Sequence, residues 1–262
     1  MSIATIDNQL IHYEALGRGQ PLLFIHGWLG SWRYWWPSMQ ALSARQRTFA
    51  IDLWGYGDSS KSPELYSLAA YVEMIDRFID KMGIVQPVTL VGHSLGAAVA
   101  LRYIKKNLDM VEKLVMVALP LHGQAVNPRL GNTALEAFTK AMGKSGSFSE
   151  VDSELRKTDQ QAINRLMQEL TNLDFSQEII TCPRPVLMVY GGQDQVIETP
   201  PNNHAQLQAP ENNHFLVSLD ECNHFPMLQE KAKFNRLLLD FIHADDSVTE
   251  LTPKDYWQRR VR

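Results

Sequence analysis

An α/β fold, with a mostly parallel sheet and helices on both of its faces, is what this sequence predicts. Three observations carry it. Short continuous apolar runs such as PLLFI and VTLV are what strands covered on both faces require. Helix-forming stretches alternate with them along the chain, as crossover units do. A serine stands between two glycines where one apolar run passes straight into a helix, in VTLVGHSLGAAVALRYI.

The elements follow in order. Residues 2–16 read as a hairpin turning at Asp7-Asn8. Pro21 opens the buried strand LLFIH, a helix is expected over about 34–44, and a strand over 47–53. Leu68, Tyr71, Val72, Ile75, Phe78, Ile79 and Met82 recur at three- and four-residue spacing, which predicts an amphipathic helix over 68–82. A strand at 88–91, a helix at 96–107 and a strand at 113–119 continue the alternation. It breaks at 121–177, where no strand is expected and helices are expected near 133–143 and 152–171. Strands resume at 185–190 and 214–219, and a helix over about 228–242 closes the body. The organisation expected is therefore a core of residues 1–120 and 178–244, a short helical insertion at 121–177, and a peripheral tail at 245–262. Tyr256 and Trp257 are the tail residues able to dock on the body.

Composition removes several function classes. With 262 residues, 45 % apolar and 21 % charged, the chain suits one globular α/β body. A net charge of −4 without long runs of one sign offers nothing to nucleic acid or an anionic membrane. No apolar run is long enough to span a bilayer, and the N-terminal stretch lacks the pattern of a signal peptide. Cys182 and Cys222 show no metal-binding or redox spacing. The expectation is a cytoplasmic protein with two ordinary thiols. Its oligomeric state is not legible.

A turn sharp enough to take a buried strand directly into a helix strains its central residue and brings neighbouring chain too close for side chains. Gly92, Gly96 and the small Ala97 supply the room. Ser94 would then project at the C-terminal edge of the sheet, with the Leu95 N–H at the positive end of the following helix. The five-residue pattern alone arises by chance in roughly one protein of this size in ten; strand, helix and third small residue together favour a nucleophile.

A serine hydroxyl needs a base, and the base an orienting acid. In a parallel sheet both must come from loops at the same edge. Asp194 lies in GGQDQVI after one strand, and His224 in DECNHFPMLQE after the last. Their order, Ser94, Asp194, His224, is that of the serine nucleophile-elbow triads. Rival residues fit less well. His204 and His214 precede the last strand and read as surface or edge residues, and His93 should point into the packing beneath the elbow. His12, His122 and His243 have no acid in a matching position. No carboxylate follows the strand at 113–119 until Glu136. Asp220 is expected to brace its loop, and Asp52 and Asp58 read as turn residues around WGYG.

Stabilising a tetrahedral oxyanion takes two backbone donors. Leu95 is one candidate and Trp28, in the glycine turn after LLFIH, the other. Trp28, Trp32, Tyr34, Trp35 and Trp36 crowd one loop; Trp32 and Trp35, with His93, are candidate walls of an apolar substrate pocket, core packing being the alternative. DLWGYGDSS lacks the third glycine or lysine of a phosphate loop, and no HExxH spacing occurs. Neither cofactor nor metal is expected.

With FIHGW, DLWGYGDSS, VGHSLGAA, YGGQDQVI and CNHFPMLQE assembled, residues 2–243 resemble the α/β-hydrolase fold family, in particular serine carboxylesterases and related cofactor-free hydrolases. The resemblance implies Ser94 as nucleophile, His224 as base, Asp194 as orienting acid, Trp28 and Leu95 as the oxyanion hole, and the insertion as a short cap. Asn223 departs from the glycine many relatives carry before the histidine. Serine at the elbow sets aside the haloalkane dehalogenases and epoxide hydrolases of this fold, which use aspartate. Carbon–carbon bond hydrolases commonly carry asparagine where His93 stands. The expected activity is cleavage of small apolar esters. Carbon–carbon hydrolysis or acyl transfer on the same residues is the alternative, and ligand binding with vestigial turnover a more distant one.

Overall fold

The computed structural model describes residues 2–127, 148–201, 207, 209, 213–245 and 251–253. The expected helix at 133–143, Glu136, His204, Tyr256 and Trp257 lie outside the described residues. Among the described residues, eight strands form one sheet in the order β1-β2-β4-β3-β5-β6-β7-β8. They are β1 (Ser2–Ile6), β2 (Gln9–Gly17), β3 (Gln20–Ile25), β4 (Gln46–Ile51), β5 (Val88–His93), β6 (Val111–Val117), β7 (Val186–Gly191) and β8 (His214–Leu219).

The hairpin turns where expected. Asp7 and Asn8 take φ of 48° and 63°, the left-handed pair a two-residue hairpin needs, and short polar side chains tolerate it. β2 pairs antiparallel with both β1 and β4, whereas β3 to β8 run parallel. The parallel strands β3, β5, β6 and β7 are buried at nearly every position, which is why they read as unbroken apolar runs.

From β3 the chain crosses to β4 on one side, and from β4 it returns past β3 to β5 on the other. The C-terminal ends of β3 and β5 therefore flank a point where strand order reverses, the place where open α/β sheets leave a crevice. Ile25 is level with Gly92, and His93 with Val117, so the loops leaving these strands emerge at one rim.

Helices α1 (Trp36–Leu42), α2 (Leu68–Lys81) and α3 (Leu95–Lys106) follow β3, β4 and β5. Ser67 caps α2 by accepting the Ala70 N–H. The expected helix at 34–44 is split: a 3-10 turn at Trp32–Trp35, capped by Ser31, precedes α1. The helix expected over 152–171 is also divided. A short α4 (Ser149–Asp152) and a 3-10 turn at 155–157 precede α5 (Gln160–Leu170), because Asp159 starts a new helix by accepting the Gln161 N–H. A helix that periodicity did not announce, α6 (Ser176–Ile180), follows, and Asp174 accepts the Ser176 N–H at its start. The helix expected over 228–242 is α7 (Pro226–Gln229) and then α8 (Lys231–Ile242).

The described part of the insertion is fastened to the body. Asp159 donates its N–H to the Gly55 carbonyl and accepts the Tyr66 hydroxyl, both within 2.8 Å. The Lys157 ammonium meets Asp58 at 2.8 Å, and the Arg33 guanidinium meets Glu154 at 3.1 Å. At the other end, the Phe175 N–H reaches the Leu121 carbonyl at 2.8 Å. Asp58, expected as a turn residue, therefore also anchors the insertion. Leu251, in the tail, packs partly buried against the core.

Candidate active site

Ser94 sits where β5 becomes α3, with φ 50° and ψ −111°, a conformation that L side chains rarely hold. Glycine is needed on both sides: a Cβ at Gly92 would meet the Gly96 carbonyl oxygen at 2.3 Å, and one at Gly96 the Ile25 carbonyl oxygen at 2.3 Å. The Ser94 carbonyl accepts the Ala97 N–H at 3.1 Å, so the residue serves as the helix N-cap. Leu95 begins the helix, where an N–H has no intrahelical acceptor and the dipole favours negative charge.

The loops after β7 and β8 bring the acid and base together. His224 Nδ1 lies 2.8 Å from Asp194 Oδ2, with both side chains almost wholly buried. The other Asp194 oxygen accepts the Val196 and Ile197 N–H groups at 2.7 and 3.0 Å. A carboxylate held by three N–H donors fixes the imidazole with its proton on Nδ1, leaving the Nε2 lone pair available as a base. Asn223 steadies the loop, its side-chain oxygen accepting the Phe225 N–H at 2.9 Å.

The nucleophile's own hydrogen bond is the part that differs from expectation. Ser94 Oγ is buried and has no hydrogen-bond partner among the described residues. The His224 ring nevertheless stands beside the elbow, its centroid 4.6 Å from that of His93. Catalytic hydrogen bonds of this kind are commonly loose until substrate binds.

The loop after β3 turns tightly. The Gly30 N–H bonds to the Gly27 carbonyl at 3.1 Å, and Leu29 is forced to φ 57° without being glycine. Trp28, in this turn, is 2 % exposed.

The expected pocket walls lie elsewhere. Trp35 is fully buried, its ring stacked on Phe24 at 4.8 Å and near Phe234 at 6.4 Å, and belongs to the core. Trp32 donates its backbone N–H to Asp52 at 2.8 Å, and its ring lies against Arg33 and Trp36. His93 lies beneath the elbow at 0 % exposure, between the Tyr34 hydroxyl and the His224 carbonyl. Burial, and next the nearby His224, push its imidazole well below the usual 6.5, so the ring is neutral. Burial likewise raises the Tyr34 phenol well above its ordinary range, leaving it a donor.

Residues that spacing did not single out are Tyr34, Phe148 and Phe225. Phe225 packs against His93, Tyr34, His224 and Phe148, joining the base loop to the insertion. A phenylalanine next to the candidate base was the one available signal for it.

Two other histidines correct the sequence reading. His12 does have an acid: its Nδ1 is 3.0 Å from Asp52 Oδ2. His214 is buried rather than superficial, with Nε2 3.0 Å from the Cys182 carbonyl. His12, Asp52 and Asp58 offer donor atoms within 4.8 Å of one another, the geometry of a small metal site. Asp52 is nevertheless already engaged by the Trp32 and Asp58 N–H groups and His12, and Asp58 by Lys157. That chemistry is a saturated structural cluster. Cys182 and Cys222 are both free and buried. Among the described residues no helix is long and apolar enough to cross a membrane.

Comparison with known proteins agrees with this architecture. The family described as alpha/beta hydrolase fold matches residues 20–138. Over 108 residues the chain is 35 % identical to a probable lysophospholipase, BODYGUARD 3, of Arabidopsis thaliana, covering 39 % of this chain and 22 % of that protein. Over 114 residues it is 32 % identical to a soluble epoxide hydrolase of Corynebacterium sp. (strain C12), covering 44 % and 40 %. These alignments span less than half of either relative. Among solved structures, a bromoperoxidase from Bacillus anthracis superposes with a TM-score of 0.78 at 23 % identity, over 93 % of this chain and 99 % of that one. An esterase from Exiguobacterium antarcticum gives 0.78 at 20 %, over 92 % and 98 %. The chain has the α/β-hydrolase fold, and its sequence resembles hydrolases built on it.

Proposed function

We propose that this protein is a serine hydrolase that cleaves carboxylic esters of small apolar substrates through an acyl-enzyme. The observation that carries the reading is the 2.8 Å His224–Asp194 bond at the rim that holds the strained Ser94. His224 Nε2 takes the Ser94 proton as Oγ attacks the ester carbonyl. The oxyanion is stabilised by the Leu95 and Trp28 N–H groups, each worth about 3–4 kcal/mol of barrier lowering. His224 then returns the proton to the leaving alcohol, and water activated by the same imidazole releases the acid. No cofactor enters this sequence.

The described residues of the insertion, 121–127 and 148–177, act as a cap at this rim, where Phe148 touches Phe225 and the Asn127 N–H reaches the Val196 carbonyl. The similarity to a probable lysophospholipase and the fold shared with an esterase support ester chemistry. Serine at the elbow argues against epoxide opening through a carboxylate nucleophile.

Purified protein assayed on nitrophenyl esters of graded acyl length, beside a lactone and a vinylogous diketone, tests the proposal. Turnover of the short and medium esters is expected. Turnover of the diketone alone would replace ester hydrolysis by carbon–carbon cleavage, and turnover of none of them would overturn the reading.

A further inference from the structure

Resting on the serine-hydrolase reading, we propose that Tyr34 and His93 form a positioning relay that holds the base loop and the Gly27–Trp28 turn in register with the nucleophile. The donors and acceptors leave one consistent assignment. The His224 carbonyl, 2.9 Å from His93 Nε2, can only accept, so Nε2 carries the proton. Nδ1 of the neutral ring is then an acceptor and takes the Tyr34 O–H at 3.0 Å. The Tyr34 oxygen in turn accepts the Gly27 N–H at 2.5 Å. Three hydrogen bonds thus run from the turn after β3, through the residue before Ser94, to the backbone of the candidate base.

Tyr34 and His93 are both at 0 % exposure, so solvent cannot replace a lost member. Neither touches a reacting atom, so both are positioning residues. If packing were their only task, phenylalanine would fill the Tyr34 site without the cost of burying a hydroxyl. Without the Tyr34 hydroxyl, the imidazole keeps its Nε2 proton for the His224 carbonyl, but Nδ1 loses its donor and the Gly27 N–H its acceptor, so the ring and both loops it joins are free to shift. A displacement near 1 Å costs on the order of 100-fold in rate.

The test compares wild type, Tyr34→Phe, His93→Ala and the double variant on a nitrophenyl ester, each normalised to sites titrated with a fluorophosphonate. We expect kcat of Tyr34→Phe to fall on the order of 10- to 100-fold while KM stays within about twofold. The double variant should lose little more than the worse single variant, the non-additivity of residues acting as a unit. Tyr103→Phe, which truncates a buried tyrosine whose hydroxyl meets Asp76 at 3.4 Å, controls for truncation and should leave both constants unchanged. Unchanged kcat in Tyr34→Phe, or losses that simply multiply in the double variant, would overturn the relay.

If His93→Ala does not fold, 15N spectra of the wild-type imidazoles decide. His93 protonated on Nε2 and bare on Nδ1 is expected, and the reverse tautomer would refute the relay. Wild type that neither labels nor turns over would defeat the hydrolase reading instead, while the tautomer result would still stand by itself.

Discussion

Two buried histidine–aspartate pairs in this molecule have nearly the same immediate geometry. His224 and Asp194 meet at 2.8 Å, His12 and Asp52 at 3.0 Å. Each carboxylate also accepts two backbone N–H groups, from Val196 and Ile197 in one case and from Trp32 and Asp58 in the other. The difference lies beyond the imidazole. His224 faces the elbow of Ser94 at the strand-order reversal, its ring 4.6 Å from that of His93. His12 Nε2 is buried without a hydrogen-bond partner among the described residues, and the Glu14 carboxylate is 3.7 Å away. A His–Asp contact is therefore no signature of catalysis; what the second nitrogen can reach decides.

The largest expected effect sharpens this contrast. Ser94→Ala should lower ester turnover by about 10⁴-fold or more with little change in melting temperature, and Asp194→Asn should lower it by about 10⁴-fold. Steady-state rates beside thermal denaturation check both. Asp52→Asn should cost stability without the catalytic loss. The amide keeps one accepting oxygen but sets an NH2 against the His12 and Asp58 side of the cluster, which is expected to cost about 1–3 kcal/mol of stability while kcat per titrated site stays within a few-fold, read by urea unfolding and kinetics. A catalytic loss matching that of Asp194→Asn would erase the distinction between the pairs.

Gly57→Ala probes the same cluster more gently. The glycine has φ +49°, and an added Cβ would lie 2.2 Å from Asp52 Oδ2, so destabilisation of about 1–3 kcal/mol is expected, without loss of turnover per site. The smallest effect is a pH slope. Burial lowers the pKa of both His93 and His26 below the ordinary 6.5. The unfolded chain then binds protons below that value that the folded chain does not. Stability is full above about pH 6.5 and falls as pH drops below it towards the folded values. A melting temperature that stays flat from pH 7 to 5 would contradict neutral burial of these rings.

Much of this was legible in the sequence because it follows from local rules. Buried parallel strands must be apolar throughout, and a two-residue hairpin needs residues that tolerate positive φ, as Asp7 and Asn8 do. The triad candidates were legible because loops after successive parallel strands share a rim. The parts that were not legible depend on long-range contact. Asp159 has the local mark of an N-cap, but periodicity carries through it, and the bonds that fix the break there reach back to Gly55 and Tyr66. The aromatic loop shows the same limit. Composition places five rings together, but only packing sends Trp35 into the core against Phe24 and Tyr34 towards His93.

The account turns on Ser94 being a nucleophile activated by His224. Intact mass after exposure to a fluorophosphonate tests this most directly, on wild type, Ser94→Ala and His224→Ala. The account predicts one equivalent of adduct on wild type, located at residue 94, none on Ser94→Ala, and labelling slowed by orders of magnitude on His224→Ala. Adduct of equal extent and rate on all three proteins would contradict it.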